Sequence, residues 1–358
     1  MATSEQEEHY PSGWHRTFYT MWLGSFITGA GYSMTMPFIS LFINELGNFS
    51  RFQLNIYSGL AFAATFISQA IVSPLWGNLA DRKGRKLMCM RAAGVMAITI
   101  FCVGLAQNVW MIIGLRFLQG AFGYRIPFFI TGGLMFLNFV GTSFLAKEHF
   151  KPIKKEKMKP LRQIFQELDN PGVIIAMFFT TMVVISSSMS ITPIISLYVK
   201  SLMHNQGNVA LVAGIVAATP GLGTLIAASK VGHTMDRIGP KVVLRTGLMV
   251  AFVLFIPMTF THSAWSLAFW RFLLGLANAA LNPAIQTVLT LDVPAEAFGR
   301  IFSVNQSFQA VGAVMGSLIG SVISGLFSYP MVFAVTGLTL LINMVVILLV
   351  LRPRRQRG

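Results

Sequence analysis

Gly77-Asn78-Leu79-Ala80-Asp81-Arg82-Lys83-Gly84-Arg85-Lys86 is the stretch that decides the fold, because the chain writes a shorter version of it again. Gly232, Asp236-Arg237, Gly239 and Lys241 follow it at a constant offset of 155 residues. The same offset carries Trp110 to Trp265, Arg116-Phe117-Leu118 to Arg271-Phe272-Leu273, and Gly120 to Gly275. Upstream, Pro37, Ile39-Ser40-Leu41 match Pro193, Ile195-Ser196-Leu197 at an offset of 156. A register held over this distance marks two parallel repeats, each following the same order across its surroundings. Downstream the register jumps: Phe128, Thr131-Gly132 and Asn138 match Phe333, Thr336-Gly337 and Asn343 at an offset of 205. The change from 155 to 205 means that the first half lacks about 50 residues, the counterpart of roughly Ala279 to Ser328.

Composition says where such a repeat lives. Of 358 residues, 54% are hydrophobic and 11% charged, against about 25% charged in a soluble protein. A chain this size with so few charges has no polar skin, which excludes a cytosolic enzyme, a secreted domain and a disordered chain. An all-α integral membrane protein is expected. Runs long enough to cross a bilayer sit near 18–43, 54–76, 87–106, 109–146, 172–199, 208–229, 241–261, 264–290, 301–326 and 329–351. The run 109–146 would be about 57 Å long as one helix, far more than the ~30 Å needed. The missing segment accounts for it: the outer half of a fourth span is joined to the start of a sixth. Residues 1–17 carry Glu5, Glu7 and Glu8 with a single Arg, unlike the basic start of a cleaved signal peptide.

The net charge of +15 suggests an anionic partner until the charges are placed. The segments 1–17, 77–91, 147–170, 230–245, Arg300 and the tail hold most of the 27 Lys and Arg, whereas the alternating loops hold only Arg51 and Lys200. Arg116, Arg125 and Arg271 fall inside apolar runs. This asymmetry places both termini in the cytoplasm of a multi-pass protein of the cell membrane. The basic segments then touch lipid headgroups, and nucleic acid is not expected as a partner. The organisation expected is an incomplete helix bundle over 1–146, a cytoplasmic basic linker over 147–170, and a six-helix bundle over 171–358.

The motifs carry a resemblance. Residues 77–86 match the loop signature between the second and third spans of the major facilitator superfamily, and Arg116-Phe117-Leu118-Gln119-Gly120 matches the fourth-span signature R-x-x-Q-G of its proton-coupled drug antiporters. The chain as a whole resembles the MdtG-type multidrug efflux proteins. The resemblance implies the two-bundle major-facilitator fold, here with about ten spans instead of twelve. It also implies a conformational latch at Gly77, Asp81, Arg82, Gly84, Arg85 and Lys86 and at Gly232, Asp236, Arg237, Gly239 and Lys241, and a proton-coupling role for Arg116 with Gln119.

Read from the residues alone, the loop motif is also a plain turn with topogenic charges, its glycines permitting a tight turn between helices. Arg116 lies roughly 10 Å inside its run. It either faces a cavity or a partner, or snorkels to the interface, and Gln119 shares its face at i+3. Arg271, Asn278, Asn282 and Gln286 fall along one helical face, a polar stripe that lines a cavity or serves interhelical packing. Thr28, Tyr32 and Thr35 make a weaker stripe, fitting a largely apolar pocket. Gly312, Gly316 and Gly320 read as a close-packing face.

No Asp or Glu lies in the middle of any run, which weakens a simple exchange of protons for cationic drugs. Cys89 and Cys102 are too far apart along one helix for a disulfide. No histidine pair has metal-ligand spacing, and no phosphate-binding GxxxxGK[ST] is present. No cofactor, metal or enzymatic activity is therefore expected. The function expected is proton-driven efflux of small lipophilic compounds by a monomer, with a small-molecule substrate, protons and membrane lipid as partners. An uptake carrier and a truncated membrane remnant that does not transport are the alternatives.

Overall fold

The computed structural model of the chain describes residues 37–83, 98–99, 101–122, 170–293 and 298–351, with the helical backbone alone along 73–83, 120–122 and 299–300. The described elements are helices: α1 (37–45), α2 (Arg51–Lys83), α3 (Val109–Phe122), α4 (Pro171–Ile191), α5 (Ile195–Leu202), α6 (Val209–Ile238), α7 (Pro240–Thr259), α8 (Ala264–Leu291), α9 (Phe298–Leu326) and α10 (Tyr329–Val350). Among the described residues seven helices (α2, α4 and α6–α10) are long and apolar enough to cross a membrane, and α3 is a shorter apolar one. Side chains such as Leu225, Phe260, Phe269 and Ile342 point outward. An apolar exterior of this kind is stable only against lipid.

Local chemistry sets most of the breaks. The run 172–199 is interrupted by a turn at 192–194, where Pro193 brings no N–H to the helix, so it divides into α4 and α5. Asn108 and Asn208 open α3 and α6, each with its side-chain carbonyl accepting from the backbone N–H three residues on, at 2.8 and 3.0 Å. Gly239 ends α6 at φ +85°, a conformation that favours glycine, and Pro240 starts α7. Gly77 and Gly232, in contrast, lie inside α2 and α6 rather than at turns. Of the motif glycines that are described, only Gly239 turns the chain.

The repeat is visible as packing. α3 lies on α2 in the first half, and α8 lies on α6 in the second; these are the same pair of elements moved by 155 residues. Where α6 crosses α8, a Cβ at Gly275 would overlap the Pro220 carbonyl, and one at Gly223 the Phe272 carbonyl. The Thr224 hydroxyl bonds the Gly275 carbonyl across this crossing at 2.9 Å. α9 approaches α4 as closely. A Cβ at Gly312, Gly316 or Gly320 would overlap the backbone of Met182, Ser186 or Ser190, as the small-residue spacing predicts. α4 is tied to α10 by Asn343 donating to Thr180 and by the paired hydroxyls of Ser190 and Thr336.

The larger core, around Phe178, Leu248, Phe255, Leu281 and Phe333, belongs to α4–α10. A smaller one, around Ile39, Ile43, Phe62 and Ile112, belongs to α1–α3 and takes in Leu197 of α5. α2 and α9 carry the contact between the halves, with Gly59 against Ser317 and Ser321 and Phe52 against Gly325. Arg51 donates to the Ser324 carbonyl at 3.0 Å and lies 4.8 Å over the Tyr329 ring. The Ser40 hydroxyl donates to the Pro193 carbonyl. These contacts sit towards the end of the molecule that carries 46–50 and 203–208.

Candidate functional site

Arg116 and Arg271 are the buried charges of the described residues, at 3% and 8% exposure. Since this burial is by protein alone, neither side chain snorkels to the surface. Each arginine aims its Nε at a backbone carbonyl of the neighbouring helix: Arg116 at Ala61 (3.3 Å) and Arg271 at Val216 (3.1 Å). Donors and acceptors are both related by 155 residues, so the repeat extends to single hydrogen bonds. In the second half the acceptor has a clear origin. Pro220, four residues beyond Val216, has no N–H to give it, and the carbonyl takes Arg271 and the Thr219 hydroxyl instead.

The two sites then diverge. Arg116 Nη1 donates to Gln119 Oε1 at 2.9 Å, and its guanidinium lies 5.4 Å from the Phe62 ring centroid. The positions matching Gln119 and Phe62 are Leu274 and Ala217. Arg271 therefore has neither partner, and among the described residues its Nε–carbonyl bond is its one hydrogen bond.

The rest of the expected polar stripe is spread out. Asn278 is half-buried, while Asn282 and Gln286 are exposed on the same helix. Thr28, Tyr32 and Thr35 lie outside the described residues, as do Gly84, Arg85 and Lys86. Gly77, Asp81 and Arg82 fall on the last turns of α2, known by backbone alone. In the second copy of the motif Asp236 and Arg237 are exposed. Lys241 meets Asp292, at the end of α8, at 3.6 Å with both side chains partly in solvent. Asp292 is the partner that sequence reading missed. Its place at the motif's end of the molecule was legible, but the pairing needs α7 and α8 side by side. Pro220 was the other overlooked signal, a marker for a free carbonyl inside an apolar helix. Among the described residues no group of three or more His, Cys, Asp or Glu could hold a metal.

A multi-pass helical protein made of two repeated groups, with a buried arginine at the matching crossing of each, has the architecture of a two-bundle membrane carrier. The chain belongs to the Major Facilitator Superfamily, whose sequence pattern matches residues 21–123 and 177–358. Multidrug resistance protein MdtG of Salmonella arizonae is 38% identical over 382 residues, covering 93% of this chain and 95% of the relative. MdtG of Citrobacter koseri is 38% identical over 395 residues, covering 97% of each. Among solved structures, the nucleoside transporter NupG superposes with a TM-score of 0.67 at 13% identity, over 94% of this chain and 99% of that one. The human organic anion transporter MFSD10 does so with a TM-score of 0.67 at 12% identity, over 94% and 100%. At these identities the structures establish the fold. The family match stops at 123, where the internal repeat loses its register, and resumes at 177.

Proposed function

We propose that the chain is a proton-driven efflux carrier for small lipophilic compounds. The observation that carries this reading is the 38% identity to MdtG multidrug resistance proteins along nearly the whole chain. The geometry supports it: the halves meet along α2 and α9, with their hydrogen-bonded links towards one end, an arrangement suited to rocking one group of helices against the other. In this reading both termini are cytoplasmic, the end carrying 46–50 and 203–208 faces outside, and the described contacts close that side. The 1–146 and 171–358 segments are the rocking bodies, and 147–170 is the linker between them.

The loop motif, Gly77 to Lys86 with Gly232, Asp236, Arg237, Gly239 and Lys241, acts as the cytoplasmic latch. The Lys241–Asp292 pair is the contact it makes and breaks. A partly exposed pair is worth about 0–1 kcal/mol, weak enough to open in every cycle. Arg116 with Gln119 serves proton coupling. An arginine does not release its proton at working pH, so Arg116 contributes a fixed charge and protons move on other groups. Thr28, Tyr32, Thr35, Arg271, Asn278, Asn282 and Gln286 line the path of the substrate. The carrier works as a monomer among membrane lipids and performs no chemical conversion.

The experiment is dye accumulation in cells lacking their own pumps. Expression should lower accumulation, and a protonophore should restore it. Accumulation equal to that of the empty vector overturns the reading and favours the non-transporting remnant that the break at Gly123 suggests. Restored efflux after inserting the missing segment between Gly123 and Tyr124 would then identify the gap as the cause.

A further inference from the structure

Arg271 is the buried charge whose surroundings do not balance it. Compared with Arg116, it lacks two partners: Leu274 stands where Gln119 accepts from the first arginine, and Ala217 where the Phe62 ring covers it. Nε is committed to Val216. Nη1 and Nη2 have no hydrogen bond among the described residues, yet neither belongs to the buried nitrogens that are both sealed and unpartnered, as Arg245 Nε does. The head of Arg271 is therefore fixed at its Nε edge, and the other edge is not sealed.

No described carboxylate answers it. The described acidic side chains are Glu45 and Asp236, which are exposed, and Asp292, which faces Lys241. A lone charge within a membrane-spanning helix is costly and calls for a partner. A planar fork with two unpartnered NH2 groups recognises a carboxylate or phosphoryl group in bidentate fashion. Both the energetic deficit and the geometry are answered by an anion that arrives on an apolar body.

We propose that Arg271, beside Ala217 and Leu274, binds the carboxylate or phosphoryl group of a lipophilic molecule through its unpartnered Nη1 and Nη2. This deepens the carrier reading, on which the transit of that molecule rests; the binding itself needs no gradient and no cycle. It also assigns a preference: with two buried arginines and no buried carboxylate among the described side chains, the interior favours lipophilic anions over lipophilic cations.

The test is equilibrium binding of 11-(dansylamino)undecanoate, and of its uncharged methyl ester, to the full chain in phosphatidylcholine nanodiscs. Binding is read by energy transfer from tryptophan. The carboxylate should bind at least tenfold more tightly than the ester. Arg271→Gln should remove that difference, and Arg271→Lys should restore only part of it. Ala217→Phe, which rebuilds the cover seen over Arg116, should weaken the carboxylate with the charge still in place, and it serves if Arg271→Gln fails to fold. Replacing part of the phosphatidylcholine by phosphatidylglycerol separates the sources: displacement assigns the site to a lipid headgroup, and undiminished binding assigns it to a free lipophilic anion. Equal affinities for carboxylate and ester, or a preference that survives both Arg271→Gln and Ala217→Phe, overturn the proposal. Failed dye efflux with intact carboxylate preference would count against the carrier reading alone.

Discussion

Arg116 and Arg271 show how far one residue type can diverge within a repeat. Each spends its Nε on a carbonyl 55 residues earlier in the chain; only the first has a glutamine for its Nη1. Hydrogen bonds to charged groups are worth about 1.5–3 kcal/mol when a partner is removed. Gln119→Leu, which copies the second-half residue Leu274, should therefore lower the thermal midpoint of the purified protein measurably. An unchanged midpoint would mean that Gln119 does not stabilise Arg116. The same variant bears on coupling, because it removes the Gln119 acceptor without removing the charge.

Among the elements, backbone contact at the α4–α9 crossing matters more than side-chain volume. Gly312, Gly316 and Gly320 recur every four residues and meet Met182, Ser186 and Ser190, which recur at the same interval. With no hydrophobic drive between helices in lipid, association depends on this close approach and on polar links such as Asn343 to Thr180. Gly316→Leu places a branched side chain against the Ser186 carbonyl. Overpacking of this kind costs about 1–3 kcal/mol or more. We expect a lower yield of folded protein and a broadened size-exclusion profile. Gly232→Leu, on α6 with open space around it, should leave both unchanged. Equal behaviour of the two variants would contradict the packing described.

For the whole molecule, the named polar and aromatic links between the halves gather towards one end of a long α2–α9 contact. Arg51 with Ser324 and Tyr329, Phe52 with Gly325, and Ser40 with Pro193 all lie towards one end. Phe52→Cys with Gly325→Cys, in a chain whose Cys89 and Cys102 are replaced by serine, should form a disulfide across this end. Such a bond should stop dye efflux, and reduction should restore it. Efflux that persists with the bond intact would show that this end does not open during transport.

The repeat, the membrane-spanning class and the place where the first half loses its register were legible in the sequence. These are properties of composition and of spacing along the chain: a composition that excludes a polar skin, and an offset counted on the residues themselves. Even the small-residue face of α9 could be read, because a period of four is a statement about one helix. The tertiary structure decided what no period contains. It placed Asp292 beside Lys241, paired Arg116 with Ala61 and Arg271 with Val216, and put Gly77 and Gly232 inside helices. It also divided the polar stripe into a buried Arg271, a half-buried Asn278 and an exposed Asn282 and Gln286. Each of these depends on which carbonyl or side chain a neighbouring helix brings within about 3 Å. That is set by how two helices cross, and the order of residues along either one does not specify it.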